Sequence, residues 1–397
     1  MTAWPAIALL EQALRRHPVH DLFRALPGLL ALHAGFLDAT VRLADYRVEQ
    51  LLPLGGHDAV AVPVTGSLDG AAFRDQRPVI ADAAAGLVHV PLSTRGNRLG
   101  VLSGRVEEEI TPTVLDRLAE VADAVAHAVA IVETSTDQPA RARRDRRLTL
   151  AAEMQWELVR SWGLECPEFT IAGQLEPAYA VRGDNFDWSA DPGLLSIAVT
   201  NGLGEGLDAA LLTNVGISAL RNSRRSGLPL TEQAALADQA VWGQHGGDRH
   251  LAALLIQVEL ATGRMTIVDA GSPRLWIIRG DHVRRVELEE QLPLGMFDGT
   301  SYETQEELLL PGDRLFVVSD GVYDSSNGTR TYGETSLSRI VRSSRGLPAG
   351  ESVRAVLSDL AVFREHTDLD DDAVVVCLDW HGPTSTSAGG RTAPDGG

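Results

Sequence analysis

Apolar positions change their spacing several times along the chain, and each change predicts a change of element. Residues 6–15 and 20–34 carry apolar side chains at helical intervals. Residues 87–92 form a short apolar run, Arg95-Gly96-Asn97-Arg98 is a turn signal, and residues 99–102 continue as the partner strand. Pro112 then opens a helix with Val114, Leu115, Leu118, Val121, Ala122, Val125 and Val129 along one face. Residues 1–135 therefore predict one α/β domain. Farther on, apolar runs of strand length at 194–199, 251–260, 265–268, 275–278, 314–318 and 373–378 are interleaved with helical patterns at 208–223, 231–242 and 351–363. They predict a second, strand-rich α/β domain over 165–381.

The stretch 136–164 reads as a linker. Thr134 to Pro139 breaks the preceding helix, and arginines follow at 141, 143, 144, 146 and 147. Leu148, Leu150, Ala151, Met154 and Leu158 then fit one face of an entry helix. Such a face would pair with a second copy of itself, so the expected state is a homodimer through this helix. The tail 382–397 is Gly, Ser, Thr and Pro with little to bury, and is expected to be disordered.

Composition narrows the picture. The chain has 397 residues, enough for two or three domains, and its 44% hydrophobic and 22% charged content is that of a soluble globular protein. Lys and Arg number 35 against 54 Asp and Glu, a formal net charge of -19. That excess argues against nonspecific nucleic-acid binding, and the arginine cluster reads as a solvated helix end. The two cysteines, Cys166 and Cys377, show no metal-ligand spacing and fit a reducing compartment. No signal-peptide pattern opens the chain and no apolar run is long enough for a bilayer. The expectation is a cytoplasmic protein with neither nucleic acid nor membrane as partner.

Candidate chemistry sits where strands are predicted to end. Asp184 follows Arg182-Gly183, Asp320 follows the run 315–318, and Asp370-Asp371-Asp372 precedes another run. Carboxylates held by sheet ends and converging on one point make an oxygen-rich site for a hard divalent cation. Two such cations side by side activate water against a phosphate ester. Each piece alone has a plainer reading: Asp320-Gly321 as a turn, the Asp triplet as a solvated turn, Asp313 after Pro311-Gly312 likewise. His245, His250 and His366 show no ligand spacing, and Trp156 and Trp162 read as packing residues. The glycines from Gly202 to Gly206 lack the Lys-Ser/Thr ending of a P-loop.

The first third resembles a GAF sensor domain in Gly70-Ala71-Ala72-Phe73, Arg77-Pro78-Val79, Val90-Pro91-Leu92, the Gly96 to Leu102 stretch and the closing helix. Neither a Cys nor paired His marks a chromophore or haem site there. The last two thirds resemble a PPM (protein phosphatase 2C-like) serine/threonine phosphatase of the bacterial SpoIIE/RsbU branch. The matching blocks run in order. They are Ala151 to Gln155, Tyr179 to Asp187, Gly204 to Leu212, Asp269-Ala270-Gly271-Ser272-Pro273, Leu292 to Gly295, Leu310 to Leu315, Ser319 to Val322 and Asp371-Asp372-Ala373. The fold class this implies is α/β: an N-terminal GAF-like α/β domain, a helical linker and a C-terminal PPM-type α/β/β/α sandwich.

The resemblance implies a metal site of Asp184, Asn201, Asp320 and Asp371 with the backbone carbonyl of Gly202. It implies two Mn²⁺ or Mg²⁺ ions, and catalysis by Asp184, Asp320 and Asp371 through metal-bound water. Asp187 and Asp372 would support those ligands. It further implies dephosphorylation of a phosphorylated STAS-domain anti-anti-sigma protein in a partner-switching pathway. One position departs from the family pattern: Asn201 stands where an Asp normally touches both ions. A neutral amide oxygen cannot bridge two cations as a carboxylate does. Weaker binding of at least one ion follows, with Glu205 and Asp208 near enough in sequence to compensate. The alternative is a pseudophosphatase, a regulatory binding protein on the same fold, motivated by Asn201 and by Ser272 in place of the family His.

Overall fold

The computed structural model describes residues 5–55, 59–145, 147–177, 181–365, 367 and 369–384. Tyr179, Arg146, His366 and the tail from residue 385 onward lie outside the described residues. The chain divides into two compact units, Met1–Leu148 and Thr149–Gly397.

The first unit is built on a six-stranded antiparallel sheet. Helices α1 (Pro5–Arg16) and α2 (Leu22–Ala34) lead into β1 (Leu37–Ala44), β2 (Gln50–Pro53) and β3 (Val62–Pro63). Helix α3 (Leu68–Asp75), strands β4 (Val79–Asp82), β5 (Leu87–Thr94) and β6 (Asn97–Arg105), helix α4 (Pro112–Val132) and short α5 (Gln138–Ala142) follow. The sheet order is β3-β2-β1-β6-β5-β4. Strand alternation sends Val41, Leu43 and Leu102 to the face covered by α1, α2 and α4, where Leu10, Leu30, Val121 and Val125 meet them. Ala44 and Val101 point the other way, under Ala72 and Phe73 of α3. The α4 start follows from sequence: Thr111 caps Val114 N–H through its hydroxyl, and Pro112 occupies the first turn, where its missing N–H costs nothing.

Beneath α3 lies a buried polar cluster. Ser103 Oγ donates to Asp69 Oδ1 at 2.6 Å, Arg42 reaches the same oxygen at 3.0 Å, and His89 Nδ1 lies 2.8 Å from Ser103 Oγ. Burial alone would push the Asp69 carboxyl up. Its bonds to His89 and Ser103 and the charge of Arg42 hold it below the usual carboxylate value.

The second unit is a four-layer sandwich. Helix α6 (Leu150–Leu158) precedes β7 (Gly163–Cys166), β8 (Phe169–Glu176), β9 (Asn185–Asp191) and β10 (Leu194–Gly202). Then come α7 (Gly206–Arg225), α8 (Leu230–His245), β11 (Leu251–Glu259), β12 (Arg264–Ala270), β13 (Arg274–Arg279) and β14 (His282–Arg285). β15 (Gln305–Leu308), β16 (Arg314–Val318), α9 (Asp320–Tyr323), α10 (Tyr332–Thr335), α11 (Leu337–Ser343), α12 (Ala349–Phe363) and β17 (Ala373–Trp380) complete it. One sheet runs β15-β12-β11-β10-β9, the other β14-β13-β16-β17-β8-β7. Every strand pair is antiparallel.

The apolar runs of β16 and β17 are continuous because both of their faces are covered. Phe316, Val318, Val375 and Cys377 meet Val353, Val356 and Leu360 of α12. Leu315, Val317, Val374 and Val376 are equally buried, and alternation turns them to the opposite face. The sheets come close at Gly173, where an added Cβ would lie 2.9 Å from the Phe186 ring and 3.0 Å from that of Trp188. On the five-stranded sheet, Leu220 of α7 and Leu230, Ala234 and Ala237 of α8 cover Ala198, Ala253, Leu255 and Val268.

Two expectations change here. The stretch expected as one linker helix is broken between α5 and α6, and α6 packs on α7 with Ala151, Ala152, Trp156 and Leu158 buried. Of the face assigned to self-pairing, Ala151 and Leu158 are buried within the unit, Leu148 and Met154 are half-buried and Leu150 is exposed. Trp156 and Trp162 pack together with ring centroids 5.2 Å apart. Asp313 is no solvated turn residue: it is buried, accepts from Arg279 at 2.7 and 2.9 Å and from Leu310 N–H at 2.8 Å, and so fixes the approach to β16.

Candidate metal and phosphate site

The predicted residues arrive from four strand ends. Asp184 immediately precedes β9, Asn201 and Gly202 close β10, Asp320 lies two residues beyond β16, and Asp371 lies two before β17. The sandwich brings them together. Asn201 Nδ2 donates to Asp320 Oδ1 across the gap between the two sheets and lies 3.4 Å from Ser272 Oγ.

Asp184 is wholly buried, and neither of its carboxylate oxygens has a hydrogen-bond partner among the described residues. Desolvation raises its carboxyl far above the ordinary value. The charges of Asp320, Asp372 and Asp371 add to the shift, and the nearby Ser319 hydroxyl opposes it. Asp371 is pushed up to about 7, first by burial and then by Asp320. Asp184, Asp320, Asp371 and Asp372 are thus near enough to raise one another's carboxyl affinity for a proton.

The scaffold around them is specific. Asp372 Oδ2 accepts the N–H groups of Arg182 (2.8 Å) and Gly183 (2.9 Å), so it fixes the turn that presents Asp184. Gly183 sits at φ 99, where a side chain would strain the backbone. Thr213 of α7 donates to the Gly183 carbonyl. Asn185 donates to Gln155 Oε1 at 2.7 Å, tying β9 to α6. Asp187 binds Arg221 and Arg224, away from the pocket. Asp208, offered above as a compensating acid, turns outward to Arg249 at 2.9 Å, and Glu205 is exposed.

Gly321 decides how closely α9 approaches β17. A Cβ there would lie 1.9 Å from the Asp372 carbonyl oxygen, a backbone atom with no room to yield. Gly321→Ala is therefore expected to displace the start of β17, and Asp371 with it. A shift of this size costs about 100-fold in turnover when it misplaces reacting groups. Steady-state phosphate release, with a thermal melt to confirm folding, is the check.

Sequence reasoning missed two residues of the site, Tyr323 and Arg274, and gave Ser272 no contact. Tyr323, one turn past Asp320, donates its hydroxyl to the Ser272 carbonyl at 2.8 Å. Arg274 lies over the Tyr323 ring, 4.2 Å from its centroid. Ser272 itself lies 3.3 Å from the Tyr323 hydroxyl. Their spacing in sequence carried no signal, because two strands of one sheet bring them together.

Among the described residues, no three His, Cys, Asp or Glu side chains form a group spaced as a metal cage. Asp320 Oδ1 is already engaged by Asn201 and by the Gly321 N–H (2.9 Å), and Asp371 Oδ1 by the Asp372 N–H (2.8 Å). The orphaned oxygens of Asp184 nonetheless fit a hard cation, which removes the cost of an unpaired buried carboxylate. The residues suit one such ion; the Asn201 amide does not suit a bridged pair.

Residues 191–381 match the family described as stage II sporulation protein E (SpoIIE). The match takes in most of the second unit. Asn201, Gly202, Asp320 and Asp371 fall inside the match and Asp184 just before it. The four layers of the second unit are the α/β/β/α sandwich expected from the sequence. No curated protein sequence matches the chain.

Solved structures resemble it weakly. The RsbU and RsbW domains of a Mycobacterium tuberculosis protein share 23% identity at a TM-score of 0.48, covering 55% of this chain and 63% of that one. The PP2C phosphatase domain of Bacillus subtilis SpoIIE, with a fragment of its regulatory domain, gives 20% and 0.47, covering 55% and 65%. The PP2C domain of Pseudomonas aeruginosa SiaA gives 18% and 0.47, covering 53% and 84%. The chain thus spans less than two thirds of the first two.

Proposed function

We propose that the protein is a metal-dependent protein serine/threonine phosphatase of the SpoIIE/RsbU type, working at reduced metal affinity. The observation that carries this reading is the convergence of a wholly buried Asp184 with half-buried Asp320 and Asp371 at the sheet ends of a domain that matches SpoIIE. Asp184, Asp371 and the Gly202 carbonyl, with Asp320, would hold Mn²⁺ or Mg²⁺. When bound, such an ion supplies positive charge to phosphoryl oxygens and acidifies water. The chain's own part is positional. Asp372 locks the 182–183 turn, Asn201 orients Asp320, and Tyr323 pins the Ser272 loop that faces them. No nucleophilic side chain is required.

The substrate would be a phosphorylated STAS-domain anti-anti-sigma protein in a partner-switching pathway. A protein substrate suits the exposed apolar side chains beside the site: Leu203, and Leu207 and Leu211 one turn apart on α7. The first unit would be a GAF-like sensor over residues 1–135, with residues 136–164 passing its state to the phosphatase unit, in a homodimer. A cytoplasmic setting suits this role, and among the described residues no helix is long and apolar enough to cross a membrane.

The hydrogen bond from Asn201 to Asp320 favours a second reading. An amide that satisfies Asp320 without a cation is what a pseudophosphatase would need. The test is Mn²⁺-dependent phosphate release from a phosphorylated STAS partner by the wild-type chain and by Asp320→Ala. Wild-type release well above the variant supports the enzyme. Equal rates at saturating Mn²⁺ leave only the binding role.

A further inference from the structure

Asn201 and Asp320 line one side of a cleft of about 370 Å³ whose wall also includes Ser272, Tyr323, Arg274 and Arg285. Its two arginines differ. Arg285 lies 3.7 Å from Glu287 at the exposed end of β14. Arg274 makes no ion pair among the described residues, although it stands close to a cluster of carboxylates. It begins β13 opposite Val318 of β16, two residues before Asp320. Its guanidinium is laid over the Tyr323 ring, and Tyr323 is itself held by the Ser272 carbonyl. Asn201, Ser272, Tyr323 and Arg274 thus form a continuous polar run from Asp320 to a cation.

A guanidinium stacked on a ring spends little entropy on binding and keeps its N–H edge for a bidentate grip on a phosphate. Charge makes the same point. Asn in place of Asp at position 201 removes one negative charge and offers only a neutral amide oxygen to any cation that would sit there. An arginine on the same rim restores positive charge where phosphoryl oxygens must sit.

We propose that Arg274 holds the substrate's phosphate monoester in this cleft, supplying from the protein the charge that a second bridged ion would otherwise bring. This rests on the phosphatase reading above for the identity of the substrate, but the anion site itself does not require turnover.

The experiment is calorimetric titration of the full chain with inorganic phosphate in the presence of Mg²⁺, for wild type, Arg274→Ala, Arg274→Lys and Arg285→Ala. Arg274→Ala is expected to weaken phosphate binding at least about tenfold. Arg274→Lys should fall about threefold, because it keeps the charge and loses the fork. Arg285→Ala should stay within about twofold of wild type, as an exposed paired charge contributes little. With p-nitrophenyl phosphate as substrate, KM should rise more than kcat falls in Arg274→Ala. Wild-type affinity in Arg274→Ala, or no phosphate binding by the wild type, overturns the proposal. Arg274-dependent binding without turnover by the wild type would keep the anion site and sink the phosphatase. Turnover and KM indifferent to Arg274→Ala would do the reverse.

Discussion

Asn201→Asp is expected to raise Mn²⁺-dependent phosphate release at least about tenfold at limiting metal, equivalent to about 1.4 kcal/mol in ion binding. The reason is local. Asn201 ends β10 opposite Ala252 of β11 and presents its amide N–H₂ to Asp320. An aspartate there exchanges a donor for a second carboxylate, and two unit charges about 4 Å apart at an effective dielectric near 20 repel by about 4 kcal/mol. A bound cation, or a proton on one of the two carboxylates, relieves that repulsion. The variant should therefore melt below wild type in a chelator and regain its stability on adding Mn²⁺, while the wild type responds less. Calorimetric melts with and without metal, paired with the activity assay, read both halves. If Asn201→Asp shows neither the metal-dependent gain in stability nor the gain in rate, position 201 does not face the ion, and the pocket assignment fails with it.

The largest stability effect is expected at Asp187, outside the pocket. Its Oδ1 accepts from Arg221 Nη2 at 2.7 Å and Nε at 3.1 Å, and its Oδ2 accepts from Arg224 at 2.8 Å. Arg221 also donates to the Leu158 carbonyl, so one carboxylate joins β9, α7 and the end of α6. Asp187 is 4% exposed and Arg221 9%. Water therefore cannot replace a lost partner. Asp187→Ala strands two guanidinium groups and should cost about 3–5 kcal/mol. Asp187→Asn, which keeps one acceptor, should cost less. Urea unfolding of the full chain checks this, read on the tryptophan-rich second unit. An unchanged midpoint for Asp187→Ala would show that the network is ornamental. Because Asp187 does not touch the pocket, its loss should reduce stability before it alters metal dependence.

The metal-site reading depends on positions far apart in sequence, and three of them stood out from pattern alone. Asp320 and Asp371 stand beside strand-length runs and Asp184 follows the Arg182-Gly183 turn, although each alone also reads as a turn residue. The helix of α4 and the double-sided apolar runs of β16 and β17 were equally plain, since burial on one stripe or on two faces writes itself into periodicity. Strand β9 escaped notice although Asn185-Phe186-Asp187-Trp188-Ser189-Ala190-Asp191 alternates polar and apolar residues. Its polar half is buried and satisfied by Gln155 and Arg221, residues on helices that no local pattern could nominate.

Sequence by itself determined most strand and helix types and singled out the acidic positions, because those depend on hydrophobic spacing and on residue chemistry that acts over a few neighbours. It also exposed Asn201 as a departure from the family pattern. Only the tertiary structure decided that Asn201 donates to Asp320, that α6 is occupied by α7, that Asp208 turns to Arg249, and that Arg274 stacks on Tyr323 at the rim of the cleft. These are pairings between strands and helices distant in the chain. Their partners are chosen by register and sheet packing, which are set by the whole core and not by any segment of it.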